Sequence, residues 1–184
     1  MIDPDRAKRI RLLGLDVDGV LTDNAVYLGS VNGERAEFKR FDISDGLGIR
    51  VLQQSGMPVV WISGRESDAT WHRATELRID EVIQVRTAAK LPEMLALLER
   101  RALAWEEVAF VGDDLADLPL MRRVGLPIAV ANAVEEVRDC AAYVTRARGG
   151  EGAVREAIEA ILRARGEWTE CVNGYLRERG DDAA

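Results

Sequence analysis

Asp16 and Asp18 end an apolar run, Leu12-Leu13-Gly14-Leu15, and Gly19 follows at once. A short apolar run closed by a turn signal reads as a buried strand of a parallel sheet. In an open α/β sheet, ligands bind beyond the carboxyl ends of the strands. Two residues apart on extended backbone, the two carboxylates share a face. They have no basic neighbour in sequence, so they repel. A hard cation that takes oxygen ligands, such as Mg²⁺, would relieve that repulsion.

Other polar residues stand in the same relation to a strand or a helix start. Ser63-Gly64-Arg65 follows an apolar run at 58–62, Lys90 opens a helical stretch, and Gly112-Asp113-Asp114 follows the run at 108–111. Each alone has a structural explanation: a strand end, a turn, a helix-start lysine, an N-cap. In this order they fit phosphoryl transfer. Carboxylates serve nucleophilic and acid–base chemistry, and a lysine neutralises charge on the transferring group. Residue chemistry alone does not divide the labour between Asp16 and Asp18.

The elements that must position these groups follow from patterning. Strands are predicted at 10–15, 58–62, 81–85, 108–111, 127–130 and 143–144. Helices are predicted at 46–54, 67–77, 90–101, 115–124, 134–139 and 153–165, with Pro119 in the first turn and a half of the fourth. Asn32-Gly33, between apolar-containing runs at 25–28 and 36–41, signals a projecting β-hairpin. Asp42 to Asp45 offers N-cap residues for the helix that follows. The tail from 166 is sparsely apolar and ends in polar residues. Strands alternating with helices predict an α/β fold with a central parallel sheet flanked by helices. Only 34 residues separate Asp23 from Pro58 and 26 separate Ser63 from Lys90. Neither interval leaves room for a cap domain.

The chain has 184 residues and a net charge of -7, with 47% apolar residues. This suits one domain, 1–184, and makes nucleic acid a poor partner. Cys140 and Cys171 are isolated, with no metal or redox spacing. No apolar run approaches membrane-spanning length and the first residues are polar, so a cytoplasmic protein with no membrane partner is expected. His72, the single histidine, reads as a surface or packed residue. The four tryptophans read as packing residues.

Asp16-Val17-Asp18-Gly19, Ser63, Lys90 and Gly112-Asp113-Asp114-Leu115-Ala116-Asp117 resemble the four motifs of the haloacid dehalogenase superfamily of phosphatases, which implies its Rossmann-like fold. The resemblance implies that Asp16 is the nucleophile and forms an aspartyl phosphate. Asp18 would act as acid and then base, Ser63 would hold phosphate oxygens, and Lys90 would neutralise charge. Mg²⁺ would be held by Asp16, Asp113 and the main-chain carbonyl of Asp18. The stretches 16–23, 45–50, 63–65, 111–117 and 149–156 are also similar to those of the capless 3-deoxy-D-manno-octulosonate 8-phosphate phosphatases, within a likeness spanning 12–162. That closer resemblance implies a phosphorylated sugar acid as substrate, in lipopolysaccharide precursor synthesis. It places the substrate at Asp42, Asp45, Gly46, Arg50, Gly64, Arg65 and Arg73, besides Asp18 and Lys90. Arg65 suits a carboxylate. It further implies a homotetramer in which a neighbouring subunit and its tail complete each site.

Two alternatives stand beside this reading. One is a phosphatase of a nine-carbon sialic-acid-type 9-phosphate, whose enzymes tend to carry glutamate where Arg65 stands. The other is a non-catalytic oligomerisation module, against which the intact Asp16, Asp18, Lys90 and Asp113 argue. The chain departs from the family pattern in a hairpin tip, Gly29 to Arg35, that reads as longer. Asp42 and Ser44 also replace an amide and a basic residue.

Overall fold

The computed structural model describes residues 1–181. Its elements in chain order are α1 (Pro4–Arg9), β1 (Leu12–Leu15), β2 (Tyr27–Val31), β3 (Glu34–Phe38), α2 (Ile43–Gln53), β4 (Val59–Ser63), α3 (Asp68–Leu77), β5 (Glu81–Gln84), α4 (Lys90–Arg101), β6 (Val108–Gly112), α5 (Leu118–Met121), β7 (Leu126–Ala129), α6 (Glu135–Cys140), β8 (Tyr143–Val144), α7 (Ala153–Arg165) and α8 (Trp168–Arg177). Every residue of β1, β4, β6 and β7 is buried, as strands covered on both faces must be. Six strands form one parallel sheet in the order β5-β4-β1-β6-β7-β8. From β1 the chain moves outward through β4 and β5, then crosses to β6 on the other side of β1. The β1/β6 boundary is therefore the topological switch point, where this class of sheet binds ligands. Helices α2 and α7 pack together, with α1 and α8 against them, while α5 packs against α4 and α6.

The hairpin stands apart as its own two-stranded sheet. Its pairing runs unbroken from Tyr27↔Phe38 to Val31↔Glu34. Asn32 and Gly33 make the turn with φ of 51° and 84°, the left-handed pair that suits the strands' twist. The tip is therefore two residues, and the rest of 29–35 is paired strand. Only the hairpin and α2 lie between β1 and β4, and only α3 and β5 between β4 and α4. No cap is inserted.

Several boundaries differ from expectation. The helix predicted at 115–124 is a 3₁₀ turn, Leu115–Asp117, followed by the short α5. Pro119 lies in the first turn of α5, where its missing N–H is tolerated but an uninterrupted helix through it is not. Helix α2 starts at Ile43, before the predicted 46, because Asp42 is its N-cap and accepts the Ser44 N–H at 2.7 Å. At the N-terminus α1 was not predicted; Asp3 caps it and Pro4 begins it. The tail holds α8, whose Trp168 ring meets the guanidinium groups of Arg155 and Arg163, at 5.1 and 5.2 Å from its centre. The end of the predicted tail, 182–184, lies outside the described residues. Among the described residues no helix is long and apolar enough to cross a membrane.

Asp45 joins α2 to α7. It is 1% exposed, and its Oδ1 accepts the Arg155 N–H at 2.7 Å, satisfying a donor in the first turn of α7. Its Oδ2 is buried without a partner. Burial pushes its pKa up from 3.8 to about 6 against the helix-start N–H groups that oppose the rise. The folded state thus binds a proton more tightly than the unfolded state, so stability from this group is full at low pH. It is lost as pH rises from about 4 through about 6. The loss is on the order of 3 kcal/mol. Asp45→Asn keeps an acceptor for Arg155 and removes the titration. Denaturant melts from pH 3.5 to 7.5 should show the wild type losing this stability relative to the variant across that window.

Candidate active site

The carboxyl edge of the sheet gathers the charged groups. The Asp16 N–H donates to the Val111 carbonyl at 3.0 Å, carrying the β1/β6 ladder one residue past β1. This fixes Asp16 beside Asp113, the residue after β6. Both are 4% exposed and Lys90, the first residue of α4, is 3% exposed. The Lys90 ammonium donates to Asp16 and to Asp117 Oδ1 at 2.7 Å. Asp117 Oδ2 accepts the N–H of Asp113 at 3.0 Å and of Asp114 at 3.4 Å. Carboxylate oxygens of Asp16, Asp113 and Asp117 all lie within 4.8 Å of one another. Asp117 is a member of the site that residue patterning did not assign. Its signal was the third aspartate of Asp113-Asp114-Leu115-Ala116-Asp117.

Three buried carboxylates surround one ammonium. Burial, then the charge of Asp117, pushes Asp16 far above the ordinary carboxylate range, and Lys90 offsets only part of this. Burial, then Asp16, Asp117 and Asp114, pushes Asp113 up likewise. For Lys90 burial opposes the charge, but Asp16 and Asp117 outweigh it and raise its pKa. The surplus is negative and made wholly of oxygen donors. That donor set fits a hard divalent cation such as Mg²⁺ rather than a thiolate- or imidazole-seeking metal.

Asp18 sits in a different environment. Its Oδ1 is 2.7 Å from the Lys39 Nζ and 4.0 Å from the Arg65 Nη1. Its Oδ2 is 3.4 Å from the Ser63 Oγ. The Lys39 side chain is fully buried and also reaches Thr70 Oγ1 at 3.3 Å. The absence of basic neighbours expected from sequence is thus corrected in space: Asp16 has Lys90 and Asp18 has Lys39. Lys39, contributed by the chain just after β3, was not anticipated. The Arg65 N–H donates to Ser63 Oγ at 3.1 Å, forming the turn that carries Gly64.

The loop after β1 is clamped from behind. The Asn132 amide donates to the Gly19 carbonyl at 3.1 Å and accepts the Gly149 N–H at 2.6 Å. A Cβ on Gly149 would stand 1.7 Å from that same carbonyl oxygen, so only glycine permits the approach. This gives a physical reason for glycine at 149, and adds Asn132 as a residue missed from sequence.

The structure does not bring every predicted residue to this cluster. Asp42 caps α2, bonding Ser44. Asp45 is held by Arg155. Arg50 donates to Gln53 at 3.1 Å, and Arg73 pairs with Glu76 at 2.8 Å. A Cβ on Gly46 would stand 2.5 Å from Arg73 Nη2. Among the described residues no hydrogen bond or ion pair joins these five to Asp16, Asp18, Lys90 or Asp113. Within one chain the cluster consists of Asp16, Asp18, Lys39, Ser63, Gly64, Arg65, Lys90, Asp113 and Asp117.

Residues 81–158 match the family model of haloacid dehalogenase-like hydrolases. The 3-deoxy-D-manno-octulosonate 8-phosphate phosphatase of Escherichia coli K12 is 46% identical over 165 residues, 90% of this chain and 86% of its own length. That of Yersinia pestis is 44% identical over 161 residues, covering 86% and 83%. The crystal structure of the Moraxella catarrhalis phosphatase with magnesium, phosphate and KDO superposes with a TM-score of 0.87 at 37% identity, over 94% of this chain and 97% of that one. The cobalt-bound Haemophilus influenzae phosphatase gives 0.83 at 33% identity, over 93% and 99%.

The electrostatics predict how metal uptake behaves. Without a cation, Asp16 and Asp113 retain protons at a pH where ordinary carboxylates do not, and a bound cation displaces them. Calorimetric titration of Mg²⁺ into metal-free protein near neutral pH, in buffers of different ionisation enthalpy, should show net proton release. Affinity should rise with pH, and Asp113→Asn should reduce both effects.

Proposed function

Because the chain belongs to the 3-deoxy-D-manno-octulosonate 8-phosphate phosphatases of the haloacid dehalogenase-like hydrolases, we propose that it hydrolyses that sugar-acid phosphate to the free sugar acid and phosphate. The observation that carries the reading is the pair of aspartates in unlike surroundings: Asp16 buried on Lys90, Asp18 on Lys39 and Ser63. In this reading a carboxylate oxygen of Asp16 attacks phosphorus, the ester P–O bond breaks, and Asp18 gives its proton to the departing alkoxide. Water then attacks the aspartyl phosphate, Asp18 takes its proton, and phosphate leaves with Asp16 restored. Ser63 and nearby N–H groups hold phosphoryl oxygens. Lys90 orients Asp16 and neutralises charge as it develops. Asp16, Asp113 and the main-chain carbonyl of Asp18 would hold Mg²⁺, which when bound supplies positive charge against the phosphoryl group.

Arg65, at the mouth beside Asp18, takes the substrate carboxylate, with Gly64 giving backbone access. Asp42, Arg50 and Arg73 line the rest of the sugar-acid site. Asp45 and Gly46 serve it by fixing α2, since Asp45 has no free surface. The whole chain works as one capless domain in the cytoplasm, within lipopolysaccharide precursor synthesis. Val26, Tyr27, Leu28, Val31 and Phe38 of the hairpin region are exposed. A lone two-stranded ribbon is marginal in water. Pairing hairpins in a homotetramer would cover these side chains and set a neighbour, with its tail, over each site. Nothing favours the nine-carbon or scaffold alternatives.

Phosphate release across a panel of sugar-acid phosphates, with and without chelator, tests the activity. Asp16→Asn should abolish turnover while the variant stays folded; near-normal release would refute the covalent route. Arg65→Ala should reduce turnover of the sugar-acid phosphate about tenfold to hundredfold, the value of a charge-assisted hydrogen bond, and spare a generic aryl phosphate. Light scattering at working concentration should return the tetramer mass, and a fully active monomer would refute the shared site.

A further inference from the structure

Glu37, on β3, reaches from the hairpin to the mouth of the site. Its Oε2 is 2.9 Å from the Arg65 Nη2. Its Oε1 is buried and accepts no hydrogen bond among the described residues. The Lys39 Nζ stands 4.0 Å from that atom. The same two cations flank Asp18, Lys39 at 2.7 Å and Arg65 at 4.0 Å. A second carboxylate therefore shares the cations of Asp18, with one oxygen left without a donor. The Arg65 pair favours Glu37 where it stands, but the buried oxygen without a donor carries a desolvation cost. Phosphate-ester hydrolysis gives Glu37 no task at this position. What it does is occupy the guanidinium of Arg65, whose side chain is 42% exposed and whose head group is shaped to take a carboxylate.

We propose that Glu37 is a specificity-determining residue: it occupies Arg65 as an internal stand-in for the substrate carboxylate. A phosphate ester carrying its own carboxylate displaces Glu37 from Arg65, whereas an ester without one leaves it in place. This rests on the reading of Arg65 as the carboxylate group's partner. The binding-competent form is the one with Arg65 released, and apparent affinity is reduced by the fraction of molecules in which Glu37 holds it. Because Glu37 is on the same chain it competes at a high effective concentration, so only a ligand anchored at both its phosphoryl and carboxylate ends prevails. The β2–β3 hairpin thereby screens substrates without a cap domain. When Glu37 lets go, the Lys39–Asp18 contact still ties the hairpin base to the loop after β1.

The opposite role is that Glu37 orients Arg65 for the substrate, and the two roles predict opposite signs. Steady-state KM values are measured for 3-deoxy-D-manno-octulosonate 8-phosphate and for p-nitrophenyl phosphate with wild type, Glu37→Gln, Arg65→Ala and the double variant. Glu37→Ala serves as a second probe of the same position. On the proposal, Glu37→Gln lowers KM for the sugar-acid phosphate relative to p-nitrophenyl phosphate by about tenfold, the scale of one charge-assisted bond released from competition. In the Arg65→Ala background the same change leaves that ratio unmoved. A raised sugar-acid KM in Glu37→Gln would overturn the proposal in favour of an orienting role. An equal fall for both substrates would overturn it in favour of general repulsion. If Arg65→Ala affects both substrates alike, the carboxylate role of Arg65 fails, and this inference fails with it. If Arg65→Ala discriminates between them while Glu37→Gln raises the sugar-acid KM, the arginine's role stands and the Glu37 inference alone is refuted.

Discussion

The ammonium of Lys90, enclosed between Asp16 and Asp117, is the contact on which the site's geometry depends. These partners are 74 and 27 residues away in sequence. Each buried ion would be costly by itself, and removing one member of such a set leaves an uncompensated charge, at about 3–5 kcal/mol. The fold therefore cannot shift β1, β6 or the start of α4 independently. Asp117 extends the constraint by accepting the N–H groups of Asp113 and Asp114, so the loop after β6 is shaped by the carboxylate that anchors the lysine. One ammonium does not neutralise three carboxylates, and the remaining charge calls for a cation.

Sheet order explains why these groups meet at all. β1 and β6 are neighbours, although β4 and β5 intervene in sequence. Their carboxyl ends thus present two loops side by side at the point where the winding reverses. Burial of β1 on both faces leaves its end as the first place where polar side chains are tolerated. The loop that follows has little freedom, since Thr22 accepts the Gly19 N–H at 3.2 Å and Asn132 holds the Gly19 carbonyl from the other side. Rigidity of this kind positions a reacting carboxylate better than a mobile surface loop would.

Much of this was legible in sequence, for local reasons. Apolar runs ending in aspartate, serine or glycine marked the strand ends, and their alternation with helical stretches marked the α/β class. Asn32-Gly33 fixed the hairpin turn. Some legible signals went unread: Trp168, Cys171, Val172 and Tyr175 recur with helical spacing and belong to α8, and Asp3-Pro4 is an N-cap followed by a helix-start proline. Other features had no local signal. Lys39 and Glu37 look like ordinary charges on a solvated hairpin until the topology sets them against Asp18 and Arg65. Asp45 reads as a helix-start acid of α2, yet its hydrogen bond goes to Arg155, 110 residues on. Pro119 was visible, but whether it would end the helix or only tighten it depended on packing.

The division of labour between Asp16 and Asp18 is the clearest case of a question that residue types leave open and surroundings inform. The Asp16 side chain is 6% exposed and lies among other carboxylates with Lys90 as its one cation, whereas that of Asp18 is 20% exposed beside Lys39, Arg65 and the Ser63 hydroxyl. A nucleophile gains from being fixed and dry, since its attack is then opposed by little reorganisation. A group that passes a proton to a departing alcohol, and later takes one from water, has to stand where both can reach it. Those requirements differ, and they differ in the direction in which the two aspartates differ. One residue, Val17, thus separates a buried, lysine-bound carboxylate from one at the mouth, and Lys39, just after the hairpin's second strand, supports the second from the open side.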